Sequence, residues 1–327
     1  MKKAIITGIF GQDGSYLCEY LHKQNYEIHG IIKKDLSQNS RLIKEYLAHN
    51  KISPEIHVVD LNDYNALKEI IIKIRPDEIY HFATSQNSSQ EAVENKCWYE
   101  KQLFDNNVRA TSNILCICCE ASRDTKIVLA GSCLMYDNTK ENIQNESTVY
   151  NSKSLYGISK ITENSLAKYY RDNGLHVSMA ILYNHESPRR KANFVTKKIT
   201  SNMVAIKNGK IENFTLGNLD TKKDWGFAKD YVYGIYLMAQ QKFSDDYILS
   251  SGEMHSIKEI VQICADVLEI NNWEKLIHID SSILDRKIDG QLFGDCTKAK
   301  EILGWEKTVS FNELISLLIK AEINKEI

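Results

Sequence analysis

The stretch from Ala4 to Leu21 constrains this chain more than any other. Ala4-Ile5-Ile6 reads as a short buried strand and runs directly into Thr7-Gly8-Ile9-Phe10-Gly11-Gln12-Asp13-Gly14. Ser15 to Leu21 then carries apolar residues at helical spacing. Strand, glycine turn and helix, in that order, hold a dinucleotide. The glycines let the backbone approach a pyrophosphate, and the helix N-terminus offers unpaired N–H groups and a positive dipole end. The expected cofactor contacts here are Gly8, Phe10, Gly11, Gln12, Asp13 and Gly14. Their spacing is Gly-x-x-Gly-x-x-Gly rather than the commoner Gly-x-Gly-x-x-Gly.

The rest of the first half repeats the alternation. Strands are expected at Tyr26–Ile32, Ile56–Val59, Glu78–Phe82, Lys126–Ala130 and Val177–Leu182. Helices are expected at Tyr64–Ile74, Asn106–Ala121 and Gly157–Asn173. This pattern predicts an α/β fold, a Rossmann-like doubly wound parallel sheet. Ligands in such sheets lie at the carboxyl ends of the strands. Lys33-Lys34-Asp35 therefore falls beside the adenosine ribose. The lysines suit a 2′-phosphate, whereas Asp35 suits a free 2′-hydroxyl. Asp60 and Leu61 fall near the adenine, and Phe82, Ala83 and Thr84 close a strand on the cofactor side.

After Leu182 the texture changes. Tyr183 to Lys191 and Gly217 to Phe227 read as loops, with a helix at Phe194–Asn208 and a strand at Asn213–Leu216 between them. A helix over Asp230–Gln240 and a strand over Tyr247–Ser250 return to the sheet. Ser256 caps an amphipathic helix to Leu268, with Glu259 three residues on. The expected organisation is a dinucleotide domain, 1–182 plus 228–250, and a smaller α/β substrate lobe on the C-terminal side, 183–227 plus 251–327.

Composition narrows the function. A net charge of -2 over 327 residues argues against nucleic acid bound through bulk charge. No stretch approaches a membrane span, and the basic-then-apolar start gives way at once to glycines and charges, unlike a signal peptide. The 8 cysteines lack metal-ligand spacing. Cys116, Cys118 and Cys119 sit in an apolar helical run and read as reduced, buried thiols of a cytoplasmic protein.

The chemistry is carried by Ser154-Leu155-Tyr156-Gly157-Ile158-Ser159-Lys160, read with Ser132. In a helix, Tyr156 and Lys160 stand one turn apart on one face. A lysine ammonium beside a phenol lowers its pKa and makes it usable as a base. A serine hydroxyl bonding the same substrate oxygen completes a trio that removes an alcohol proton while a hydride leaves the carbon. Ser132 ends one sheet strand and Tyr156 begins the next helix, so the trio falls where the cofactor lies.

Taken together, the chain resembles an extended short-chain dehydrogenase/reductase, and more narrowly the GDP-mannose 4,6-dehydratase family. The residues that carry this are Thr7 to Leu17, Asn184-His185-Glu186-Ser187-Pro188-Arg189-Arg190, Phe194-Val195-Thr196-Lys197-Lys198-Ile199, Leu216-Gly217-Asn218-Leu219-Asp220 and Lys223 to Val232. Thr297-Lys298-Ala299-Lys300 and Leu303-Gly304-Trp305 fit as well. The resemblance implies that the second lobe binds a GDP-linked sugar through Asn184, Val195, Lys198, Leu216, Gly217, Lys223 and Arg286. It also implies a homodimer, or a dimer of dimers, joined through the helices at Asn106–Ala121 and Gly157–Asn173.

Two departures shape the expectation. Dehydratases of this family carry an acid two residues past the Ser/Thr of the trio, which removes the C5 proton and expels the C6 hydroxyl as water. Here that position is Leu134, which cannot transfer a proton. Members that use NADP have two Arg and then Ser where this chain has Lys33-Lys34-Asp35, so NAD is expected ahead of NADP. The expected reaction is oxidation of C4 in a GDP-sugar of the GDP-mannose or GDP-manno-heptose type, without loss of water, for polysaccharide sugar biosynthesis of the bacterial type. The alternatives are a 4,6-dehydratase and a C4 epimerase. The intact Tyr156 and Lys160 weigh against a catalytically silent sugar-nucleotide sensor.

Overall fold

The computed structural model describes residues 1–85, 96–280, 282–283 and 291–325. Seven parallel strands form the central sheet in the order β10-β6-β5-β4-β1-β2-β3. These are β1 (Lys3–Thr7), β2 (Glu27–Ile32), β3 (Glu55–Val58), β4 (Glu78–His81), β5 (Lys126–Ala130), β6 (Val177–Leu182) and β10 (Asp246–Leu249). β4, β6 and β10 are buried along their whole length, as sheets covered on both faces require. Connecting helices α1 (Gln12–Lys23), α2 (Gln38–His49), α3 (Tyr64–Ile74), α4 (Lys96–Phe104), α5 (Ala110–Ala121) and α6 (Leu155–Asp172) cover the faces. A single π-turn, Asp105–Arg109, joins α4 to α5.

The second lobe is built from β7 (Asn184–Glu186), α7 (Val195–Lys207), β8 (Phe214–Leu216), β9 (Lys222–Phe227), β11 (Met254–Ser256), α9 (Ile257–Leu268), β12 (Ile277–Ile279) and α10 (Phe311–Asn324); α8 (Ala228–Gln240) returns to the main sheet. Its strands make a three-stranded sheet, β11-β9-β7, and a pair, β12-β8. Two stretches expected as loops thus contain strands. Tyr183 to Lys191 holds β7, and Gly217 to Phe227 holds β9, which pairs with β7 in parallel and β11 in antiparallel. β7 has only three residues and β9 opens on Lys222-Lys223-Asp224, so neither shows the alternation that marks a strand from sequence.

Each lobe has its own apolar core. The first gathers the sheet and its helices, together with Leu292, Cys296, Ala299, Leu303 and Trp305. The second centres on Ile199, Met203, Trp225, Ile260, Leu314 and Ile319. Ser256 caps α9 by accepting from the Glu259 N–H, as its sequence position predicts. No disulfide forms among the described residues, and no described helix is long and apolar enough to cross a membrane.

Candidate active site

β1 ends at Thr7, and Gly8 then turns with φ +70, a conformation suited to glycine. A Cβ at Gly14 would lie 2.4 Å from the Gly8 carbonyl oxygen, so only glycine lets α1 start this close to the strand. The N-terminus of α1 begins at Gly11 with no side-chain cap. Its first N–H groups are therefore available to an anion. Gly8, Phe10, Gly11, Gln12, Asp13 and Gly14 all border one cavity of about 800 Å³ between the lobes. The turn fits the pyrophosphate of a dinucleotide.

Side chains tie this turn to the second lobe. His185 on β7 places Nε2 3.1 Å from the Asp13 carboxylate, while its Nδ1–H donates to the Tyr183 carbonyl at 2.7 Å. Gln12 donates to the His185 carbonyl at 3.1 Å and accepts from the Ser187 hydroxyl at 2.9 Å. Burial alone pushes the Asp13 carboxyl up, but His185 and Gln12 bring it below its usual value. Burial disfavours charged His185, yet Asp13 outweighs this and raises its pKa. Arg189, 1% exposed, donates to Ser15 at 2.9 Å, pairs with Glu19, and stacks over Tyr16 with its guanidinium carbon 4.0 Å from the ring centroid. It thereby pins the β7 loop to α1.

The catalytic candidates line the same cavity, Ser132 and Tyr156 together with Phe82 and Thr84. Ser154 caps α6 by accepting from the Gly157 N–H at 3.1 Å, which fixes Tyr156 in the first turn. Gly157 permits a close approach: an added Cβ would stand 2.1 Å from Ser152 Oγ and 2.2 Å from the Leu134 carbonyl oxygen. This packing presses α6 against the turn after β5, a 3₁₀ segment at Cys133–Tyr136. Ser132 accepts from the Leu134 N–H at 3.2 Å.

Lys160 lies one turn along α6, with Nζ 5.7 Å from the Tyr156 ring centroid. It is 2% exposed and stands behind the tyrosine rather than in the cavity wall. The net effect on Tyr156 differs from the expectation. Burial raises the phenol pKa, Lys160 and a hydrogen bond with Thr84 lower it, and Glu163 raises it again, so the direction is upward.

Glu163 was not singled out from sequence. Its carboxylate lies 3.1 Å from Lys160 Nζ, accepts from Thr111 at 3.1 Å, and is wholly buried with Oε1 lacking a partner. Burial pushes its carboxyl up against the pull of Lys160. Burial alone would lower Lys160, but Glu163 and Tyr156 hold it above its ordinary value. Asn107, in the π-turn, is a second residue that sequence reasoning passed over. It accepts from Thr84 Oγ1 at 3.1 Å and the Ser85 N–H at 2.8 Å, and donates to Ser159 at 3.1 Å. A π-turn inside a helical run often marks a functional position. The Asn106-Asn107 pair in an otherwise helical stretch was the available signal.

Leu134 also lines the cavity and is 8% exposed. Asp137, the nearest acid in sequence, stands outside the cavity wall, and its Oδ1 accepts from the Lys153 N–H at 2.7 Å. Of the lining carboxylates, Asp13 pairs with His185, Glu186 accepts from Thr196 at 2.5 Å and lies 3.4 Å from Arg190, and Asp220 is exposed on the loop between β8 and β9.

Asn184, Val195, Leu216, Gly217 and Lys223 face the cavity from the second lobe. Asn184 donates to the Asp224 carbonyl at 3.0 Å. Lys198 stands outside the cavity wall and donates to the Thr215 carbonyl at 2.9 Å. Lys33 and Asp35 follow β2, and Asp60 and Leu61 follow β3, at the same edge of the sheet. All four lie outside the cavity wall; Lys33, Asp35 and Asp60 are exposed. The Leu61 carbonyl accepts from Asn113 at 2.8 Å, and the Ala83 N–H donates to Thr7 at 3.1 Å. Arg286 lies outside the described residues. Trp225 is buried against Phe311 in the second core, with its edge reaching the cavity.

Residues 5–318 match a family model described as GDP-mannose 4,6 dehydratase. The chain is 36% identical over 327 residues to GDP-mannose 4,6 dehydratase 2 of Arabidopsis thaliana, covering 98% of this chain and 87% of the relative. It is 34% identical over 348 residues to the human GDP-mannose 4,6 dehydratase, covering 98% and 91%. Among solved structures, dTDP-glucose 4,6-dehydratase from Bacillus anthracis, in complex with NAD, superposes with a TM-score of 0.84 at 18% identity, covering 99% of this chain and 98% of that one. UDP-glucose 4-epimerase from Thermotoga maritima superposes with a TM-score of 0.83 at 19% identity, covering 99% of both. These structural likenesses establish a shared fold.

Proposed function

The chain belongs to the GDP-mannose 4,6-dehydratase family, and from that premise we propose that it oxidises C4 of a GDP-linked sugar and releases the 4-keto sugar without eliminating water. NAD is the cofactor, held by the glycine turn and the uncapped start of α1, and it supplies the hydride acceptor. Exposed Asp35 beside the ribose position favours a free 2′-hydroxyl over a 2′-phosphate. The sugar nucleotide occupies the second-lobe wall, with Lys223 and Arg286 taking the diphosphate. Asn184, Val195, Leu216 and Gly217 seat the rest. Lys198 holds β8 in place through Thr215, and joins the diphosphate contacts if it exchanges that bond.

In this reading Tyr156 accepts the C4 hydroxyl proton as the C4 hydrogen departs as hydride. Ser132 donates a hydrogen bond to the same oxygen. Lys160 offsets the charge that develops on the phenolate. Homodimer formation through α5 and α6 belongs to the same proposal.

One observation carries the choice of oxidation over dehydration. Leu134 lines the cavity where the family resemblance puts the acid that acts on C5 and C6, the lining carboxylates Asp13 and Glu186 are engaged elsewhere, and the third, Asp220, is exposed on the loop between β8 and β9. Mixing the protein with NAD and GDP-sugars while following reduced nicotinamide tests it. Oxidation alone accumulates one reduced cofactor per sugar converted. Dehydration and epimerisation return the hydride and accumulate none.

A further inference from the structure

Far from the catalytic residues along the strands, β2 and β3 carry the same short pattern: Glu27-Ile28-His29 and Glu55-Ile56-His57. The strands are parallel, with His29 opposite Glu55 and Ile31 opposite His57. Side chains two apart share a sheet face. Register and alternation therefore gather two imidazoles and two carboxylates on one face at the sheet edge.

The distances are those of a coordination sphere. His29 Nδ1 lies 3.1 Å from His57 Nε2, 3.6 Å separates His29 Nδ1 from Glu55 Oε2, and 3.7 Å separates His57 Nε2 from Glu55 Oε1. Donors about 2.0–2.1 Å from one tetrahedral zinc ion stand about 3.3–3.4 Å apart. The outer contact is present too. His29 Nε2 lies 3.0 Å from Glu27 Oε1, which also meets Lys3 Nζ at 3.0 Å. A carboxylate taking the far N–H of a histidine fixes its tautomer and leaves Nδ1 with a lone pair for a metal. The inner end is sealed, with the His29 side chain 4% exposed, and the outer end is open, with the Glu55 side chain 62% exposed. An ion can enter from solvent and keep a water in the fourth position.

We infer that His29, His57 and Glu55 bind one divalent transition-metal ion of the zinc class, with Glu27 orienting His29. The mixed imidazole and carboxylate set suits zinc and its neighbours; magnesium and calcium prefer all-oxygen sites. The ion would fasten β3, a four-residue edge strand, to β2. β3 leads directly to Asp60 and Leu61, so the fastening steadies a segment at the cofactor edge of the sheet.

The test starts from full-length protein stripped by a chelator and titrated with Co²⁺, read by visible d–d absorption, with Zn²⁺ competition followed by calorimetry. One Co²⁺ should bind per chain and be displaced by Zn²⁺. His57→Ala should abolish the band. Glu27→Gln should weaken binding about 10–100-fold. Glu55→Gln changes an exposed side chain, so it keeps the test decisive if His57→Ala disturbs folding; it should weaken Zn²⁺ binding by at least tenfold. Absence of saturable binding, or equal affinity in wild type and Glu55→Gln, would overturn the assignment, the second by placing the ion elsewhere, for instance on the thiols.

Discussion

Lys160 Nζ sits 3.1 Å from the Glu163 carboxylate, in a pair closed to solvent directly behind Tyr156. The general base is therefore governed by two opposed charges. Lys160 draws the phenol toward ionisation, and Glu163 with the surrounding burial opposes it. Glu163→Gln removes the opposing charge and keeps the shape. The rising limb of kcat/KM against pH, which reports ionisation of the base, should move to lower pH. The variant also leaves Lys160 without its buried partner, a change that typically costs on the order of 3–5 kcal/mol. Denaturant melts and pH profiles separate the two effects, since stability loss alone leaves the profile in place.

Tyr156→Phe should leave NAD binding intact and cut turnover by about 10²–10⁴, the usual contribution of a positioned base. Cofactor binding by fluorescence and single-turnover reduction of nicotinamide check it together. Loss of both would assign the tyrosine to cofactor retention rather than proton transfer.

Gly157 sets how close α6 comes to the Ser132–Tyr136 turn. In Gly157→Ala the new methyl would meet Ser152 and the Leu134 carbonyl at distances no packing tolerates. Overpacking of this kind costs about 1–3 kcal/mol. A displacement of Tyr156 relative to Ser132 by an ångström reduces the rate by about 10²-fold. Thermal melts and kcat measure both.

The Asp13–His185 pair predicts a pH window for stability. Asp13 is lowered, so its contribution is full above the unfolded value of about 3.9 and fades as pH falls through the folded value. His185 is raised, so its contribution is full below the unfolded value of about 6.5 and fades as pH rises through the folded value. Wild type should exceed His185→Gln by most between these two unfolded values, and the gap should close on either side. Melting temperatures across pH test this.

Much of this arrangement was legible in the sequence. The glycine turn announces itself because strand, turn and helix follow in the only order that serves a dinucleotide. The six-residue buried strand β6 stands out by its largely apolar run. β7 and β9 do not, because β7 has only three residues, β9 opens on three charged residues, and each is held by a partner distant in the chain. Glu163 was invisible for a similar reason. A glutamate three residues after a lysine normally reads as a solvated pair, and only tertiary burial turns it into a constraint on Tyr156. The same holds for Lys160, whose effect on Tyr156 was legible in sign while the burial opposing it was not. Leu134, by contrast, was legible at once as a residue that cannot carry a proton.

The central claim rests on that leucine, and the mass of the sugar product tests it most directly. After incubation with NAD and a GDP-sugar that reduces it, the product should have lost two hydrogens and kept its C6 hydroxyl, with one reduced nicotinamide formed per molecule. A product that has lost one water, with the cofactor returned to its oxidised form, would contradict the account and restore dehydration to this site.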